Sequence, residues 1–168
     1  MKITDLISEL KTSGKGYARQ NRFSVMIPEL QVGELLCTAI NMPSRNISTG
    51  EYAPGSVTRK FAYSHIDGEV TLTFNNTANY EVYKFFIEWM QKIVNTEDYT
   101  LGYKKGNNGY AKPIELMQND TTDTETYTCL LENAYPINIS QIDLSDASEN
   151  AIVNFTVTMS YDRFSYNK

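Results

Sequence analysis

The sequence predicts a mainly β domain, a sandwich or split barrel with one principal α-helix. Three observations predict it. Residues 151–162 alternate apolar and polar along one unbroken stretch. Only residues 80–94 carry a sustained helical period. Short alternating segments bounded by Pro, Gly and Asn fill most of the remainder.

Taken in order, Ile3, Leu6, Ile7 and Leu10 fall at helical spacing, so residues 1–16 read as a short amphipathic helix or arm closed by Ser13-Gly14-Lys15-Gly16. That closure lacks the spacing of a phosphate-binding loop. Phe23, Val25 and Ile27 alternate into a first strand that stops at Pro28, and a second strand is expected over 34–41. Residues 42–56 read as an extended loop, with Pro43, Gly50, Pro54 and Gly55 as breakers and Ile47 and Tyr52 as apolar residues in a polar setting. Strands follow at 57–62 and 69–74. Residues 75–79 then supply helix-capping side chains.

In the helix, Tyr80, Val82, Tyr83, Phe86, Ile87, Trp89, Met90, Ile93 and Val94 cover more than half the circumference, which predicts burial on two sides, by the fold or by a neighbouring subunit. Residues 95–108 read as a loop, 111–117 as a strand, 120–124 as a turn, and 126–134 as a strand followed by Pro136. An acidic bend at 141–150 leads into the final strand. There Ala151, Val153, Phe155, Val157, Met159 and Tyr161 face one way and Ile152, Asn154, Thr156, Thr158, Ser160 and Asp162 the other. No internal repeat or low-complexity tract interrupts this single domain of 168 residues.

Composition narrows the function. The formal net charge is -5. A dedicated nucleic-acid binder draws most of its affinity from phosphate neutralisation and is normally basic, so that class is disfavoured. No apolar run approaches the roughly 20 residues of a membrane-spanning helix, and no basic flank followed by an apolar core marks a secretory signal. Folding in a reducing cytoplasm is therefore expected, with Cys37 and Cys129 as buried small hydrophobes. The sequons at Asn46, Asn75, Asn119, Asn138 and Asn154 then reflect an Asn/Thr/Ser-rich composition.

Catalytic and metal constellations are missing. His65 is the only histidine and no nucleophile motif accompanies it. One histidine and two distant cysteines do not make a zinc site. Asp120, Asp123 and Glu125, and again Asp143, Asp146 and Glu149, form acidic groups without the glycine that a calcium-binding EF-hand requires, and read as solvated loop acids. No cofactor is implied.

The order of elements resembles the major tail tube proteins of contractile-tailed bacteriophages, relatives of the hemolysin-coregulated tube protein of type VI secretion. Three collinear blocks carry the resemblance. They are 17–25; 37–43, running on to 57–60, the strand at 70–75 and the helix with Phe85-Phe86-Ile87-Glu88-Trp89; and 142–144 with 154–162. The stretch 95–125 matches least. The resemblance implies hexameric rings that stack into a hollow tube, with sheets of six subunits joined into a continuous inner barrel. A sheath would pack outside, a tape-measure protein would fill the lumen first, and baseplate and terminator proteins would close the ends. The genome would pass without specific binding. The tube would belong to a virion tail assembled in the host cytoplasm.

On that reading the loop 42–56 reaches a neighbour, with Ile47 and Tyr52 as apolar contacts and Arg45, Arg59 and Lys60 meeting acids across the boundary. Either Glu69, Thr71 and Thr73 or Asn154, Thr156 and Thr158 line the lumen. The acidic balance suits such a conduit, because carboxylates on its wall would repel phosphate within about 8 Å. A baseplate tube initiator or the tube of a phage-like injection machine has the same architecture. A monomeric β-sandwich binding module using Trp89 and the tyrosines is a different class. An enzyme is the least favoured reading.

Overall fold

Antiparallel pairing joins every strand of the computed structural model, which describes residues 18–30, 36–106, 108–120, 124–142, 144–145 and 151–166. The expected arm at 1–16, the start of the expected second strand, and Asp123, Asp143, Asp146 and Glu149 lie outside those residues. The elements are β1 (Phe23–Met26), β2 (Cys37–Ile40), β3 (Arg45–Tyr52), β4 (Arg59–Asp67), β5 (Val70–Asn75), α1 (Glu81–Ile93), β6 (Lys112–Asn119), β7 (Glu125–Ile139), β8 (Asn154–Ser160) and β9 (Arg163–Tyr166). The main sheet has seven strands in the order β1-β6-β7-β8-β5-β2, and β9 pairs with β7. A groove lined by Phe23 and Gln118 on one side and by Thr38, Ala39 and Ile40 on the other separates the two terminal strands. The sheet is thus a barrel with one open seam, in line with the sequence-predicted class.

The 15 residues of β7 make that curvature possible. Its first half pairs with β6, placing Cys129 opposite Leu116, and with β9, placing Leu131 opposite Phe164. Its second half pairs with β8, placing Pro136 opposite Met159. Between the halves Asn133 takes a left-handed φ of 53°, and the ladder to β8 shifts register between Pro136 and Asn138. Such bulges bend a strand and accommodate a residue that cannot donate to the ladder. The strand expected to end before Pro136 therefore runs through it.

The last strand is shorter than its alternation suggests. The β8 ladder stops at Ser160, and the chain bends at Asp162 and returns as β9. The Asp162 carboxylate explains the break: it accepts from Lys104 and the Asn133 amide at the irregular point of β7 and pairs electrostatically with Lys105, while its backbone N–H donates to the Glu132 carbonyl at 3.0 Å.

Cross-strand pairs build the core. Val25 stands opposite Leu116, Ile114 opposite Leu131, Leu72 opposite Val157 and Phe74 opposite Phe155, all fully buried. The helix closes this core with Val82, Phe86 and Trp89. Phe86 packs on Phe74 at a ring separation of 5.3 Å and on Phe155 at 6.3 Å, and Trp89 donates its indole N–H to the Tyr110 carbonyl at 2.6 Å. Only this one stripe is buried. Glu81, Lys84, Glu88, Gln91 and Lys92 are exposed, so the expected second buried side is not supplied by the described residues. The N-cap of α1 is Tyr80, left-handed and without a side-chain cap, so none of 75–79 caps it as expected; the Thr77 hydroxyl, three residues before the cap, accepts the Glu81 N–H at 3.3 Å.

The tract 42–56, read as a loop, is largely strand. β3 and β4 form a separate two-stranded sheet, in register from Arg45 opposite Asp67 to Tyr52 opposite Arg59, with a bulge between Ser48 and Thr49. Polar residues dominate β3, which is why its period-2 signal is faint. Its base is fixed by a bidentate pair: the Arg45 guanidinium donates to Asp67 at 2.7 and 2.9 Å and lies 4.5 Å over the Phe164 ring. The Gly68 N–H donates to the Ser44 carbonyl at 2.8 Å, and the Tyr161 hydroxyl donates to the Gly68 carbonyl at 2.5 Å.

Two substitutions separate core from hairpin. Phe86→Ala removes a fully buried ring from the helix–sheet contact and should cost about 3–5 kcal/mol in denaturant unfolding. Asp67→Asn should leave that transition where it is, because the pair it breaks fixes only the hairpin base. The Arg45 hydrogen bond holds the Asp67 carboxyl below its usual range. A depressed carboxylate pKa stabilises the folded form above the unfolded value and loses that effect as pH falls through the folded one. The wild-type latch should therefore survive acidification through the ordinary aspartate range and open only below it, measured as loss of amide protection in β3 and β4.

Candidate assembly surface

Two surfaces stand out among the described residues. The first is the β3–β4 hairpin. None of its residues is buried, and Ser48, Gly50 and Asp67 alone are partly covered. Eight paired positions with no core contact are marginal in water, since a lone two-stranded ribbon rarely sustains itself. Large apolar side chains are nevertheless displayed along it: Ile47 is 64 % exposed, Tyr63 67 % and Ile66 62 %, with Tyr52, Val57 and Phe61 also exposed. Tyr52 packs edge-on against Phe61 at 6.1 Å, and Phe61 lies 6.4 Å from Tyr63. Gly50 permits this cluster, because a Cβ there would sit 2.7 Å from the Phe61 ring. An aromatic cluster on an otherwise unsupported ribbon is what a binding surface presents.

The five residues expected from sequence to contact a neighbour are all on this ribbon, in different circumstances. Ile47 stands opposite His65, and Tyr52 opposite Arg59 at the far end. Arg45 is engaged within its own chain by Asp67, and Lys60 lies 3.3 Å from the Glu51 carboxylate across the ladder. These two cations thus have partners inside the hairpin. Sequence reasoning missed Phe61, Tyr63 and Ile66. Phe61 and Tyr63 do alternate in Phe61-Ala62-Tyr63, but the expected strand stopped at 62, short of that signal.

The second surface is the outer face of β5 and β8. The two candidate lumen sets, proposed as alternatives, lie together: Thr71 is opposite Thr158, Thr73 opposite Thr156, and Asn75 opposite Asn154. The hydroxyls of Thr73 and Thr156 are 3.5 Å apart. Ala39 of β2 extends this face beside Thr73, and Asn138 of β7 extends it beside Thr158. Glu69 precedes β5, is exposed, and shares the face by alternation. The carboxylate-lined wall suggested by the acidic balance is not found here, because hydroxyl and amide groups fill the rows between β2 and β7. The same strands send Leu72, Phe74, Phe155 and Val157 to the other side, under α1. The helix and the hydroxyl face are therefore on opposite sides of the sheet.

The remaining residues of interest are structural in position. Cys37 and Cys129 are free, the latter buried. Burial pushes the Cys37 thiol up to about 11 and that of Cys129 above its ordinary value. Trp89 is 2 % exposed, inside the core. His65 lies exposed within β4. The Asp120 N–H donates to the Thr124 carbonyl at 2.8 Å, and Glu125 opens β7 opposite Asn119. Among the described residues no group of three His, Cys, Asp or Glu side chains is placed to hold a metal ion.

The sequence pattern of a known family matches residues 17–167, and that family is described as phage tail tube protein. Comparison with curated proteins gives no match. Among solved structures, a chain from the cryo-EM structure of the anti-feeding prophage tube-terminating cap superposes with a TM-score of 0.70 at 20 % identity, covering 90 % of this chain and 91 % of that one. A chain from the sheath–tube complex of the PVC extracellular contractile injection system, in its extended state, gives 0.67 at 18 % identity over 95 % and 96 %. A chain from the anti-feeding prophage baseplate gives 0.67 at 14 % identity over 90 % and 96 %. These likenesses establish a shared fold. The family match spans nearly the whole sequence, and on it this chain belongs to the phage tail tube protein family, whose members are structural subunits of a tail.

Proposed function

We propose that this chain is the repeating subunit of a hollow tail tube in which six copies close a ring and rings stack along the axis. The observation that carries this reading is the β3–β4 hairpin, which exposes Ile47, Tyr63 and Ile66 yet buries no residue against its own chain. Its apolar side chains gain a partner when the ribbon lies on a neighbouring copy, and Tyr52 and Arg59 at its far end reach furthest. Ring closure and stacking both join two different patches, so a protruding arm and a receiving surface on one subunit suffice.

The terminal strands β1 and β2 support the same reading. Open edges invite pairing, and joining sheets between subunits would turn each seamed barrel into part of one continuous wall. The hydroxyl face of β5 and β8 then lines the channel. Because α1 packs on the opposite side of that sheet, its charged face with Lys84, Glu88 and Lys92 points outward. A surrounding sheath would meet that side. Baseplate and terminator proteins would contact the tube ends, a tape-measure protein would occupy the lumen first, and the genome would follow. Assembly would take place in the host cytoplasm and the product would be the virion tail. No catalytic role is assigned to any residue.

The superpositions on anti-feeding prophage and PVC chains favour one second reading, the tube or tube end of a phage-like contractile injection machine. Purified protein at high concentration separates the readings under negative stain: long tubes indicate the main subunit, and capped single rings indicate an end protein.

Deleting residues 46–66, with a short Gly-Ser link in their place, should leave a soluble folded subunit that forms no tubes by electron microscopy. Normal tubes from that variant would remove the hairpin from the assembly.

A further inference from the structure

The hydroxyl face is uncharged across its rows, in a protein with 20 acidic and 15 basic residues. From Ala39 through the Thr73–Thr156 pair, and from Thr71 through Thr158 to Asn138, every side chain is a methyl, hydroxyl or amide. Among the described residues, the charges next to these rows stand at the end where β5 begins and β8 stops. There Glu69 precedes β5, and Lys104 and Lys105 pair with Asp162 just beyond β8. Among the described residues the two lysines there are matched by the two carboxylates.

We propose that the channel wall is electrically neutral along these rows, so that a phosphodiester chain passing it is neither held nor repelled. This rests on the proposed placement of the face in the lumen. Duplex DNA carries about one charge per 1.7 Å of axis, so a wall with regularly spaced cations would retain it. A wall of carboxylates would repel it within about 8 Å at physiological salt and narrow the usable bore. Threonine hydroxyls do neither. Two of them are engaged with each other, the Thr73 and Thr156 hydroxyls at 3.5 Å, and the neighbouring Thr38 hydroxyl donates to the Thr73 carbonyl at 3.3 Å. A β-branched row is conformationally stiff as well, which keeps the wall smooth.

The test uses tubes assembled from the full chain, a short fluorescent DNA duplex, and a neutral dextran of similar width. At physiological salt the wild-type tubes should admit duplex and dextran to within about twofold of one another. Thr73→Lys should raise duplex retention about tenfold or more, and that gain should vanish as salt is raised. Thr158→Lys is the second variant should Thr73→Lys not assemble. Wild-type tubes that exclude or retain the duplex about tenfold relative to dextran would overturn the neutral wall. So would lysine variants that assemble, carry the new cation inside and still treat duplex like dextran.

Thr73→Cys distinguishes this failure from failure of the underlying placement. Cys129 is buried, and the partly covered Cys37 is changed to Ser in the variant and in its control. In assembled tubes the new thiol should react with a small maleimide and not with one on a polymer too wide to enter. Reaction with the wide reagent would put the face outside, and the tube arrangement itself would then be wrong.

Discussion

One helix can cover only one face of a sheet, and that limit organises this molecule. Phe86 and Trp89 commit α1 to the apolar side of β5 and β8, where Leu72, Phe74, Phe155 and Val157 wait. Nothing among the described residues is left to cover the other side, and the sequence meets this by making it polar. Threonine and asparagine let a sheet face stay open to water while their β-branched or compact side chains keep strand geometry. The alternation in 154–160 is thus a division of labour between a core and a surface meant to remain accessible.

The hairpin is the complementary case. It presents large apolar side chains and has no core beneath them, and Arg45, clamped between Asp67 and Phe164, holds only its base. A ribbon so constructed gains most of its burial elsewhere. On the proposed assembly of this tail tube family member, elsewhere is another copy, and among the described residues β1 and β2 are the terminal strands of the sheet that could meet it. The bare face, the unsupported arm and the terminal strands are what the proposed assembly would use: a subunit whose fold is finished by its neighbours.

Much of this was readable in advance where side-chain period and burial agree. Phe155, Val157 and Met159 against Thr156 and Thr158 marked both faces of β8, and Trp89 was placed in the core by the apolar arc of its helix. The failures also have physical causes. β3 was read as loop because Asn46, Ser48 and Thr49 give no hydrophobic alternation: neither of its faces is buried. The strand through Pro136 was cut short because the bulge that tolerates a proline is a property of the β8 pairing, invisible in local sequence. β9 went unseen because the turn before it is set by contacts of Asp162 with residues far away in the chain. The cross-strand carboxylate partners of Arg45 and Lys60 could be identified only once the hairpin register was known.

Hydrogen exchange in β3 and β4, compared between dissociated subunits and assembled tubes, tests the central claim most directly. Completion by neighbours predicts weak protection of residues 45–52 and 59–67 in the free subunit and a rise of about a hundredfold or more in the tube, with the β5 and β8 core amides strongly protected in both. Equal protection of the hairpin in the two states would show that it is already stable alone, and would contradict the account.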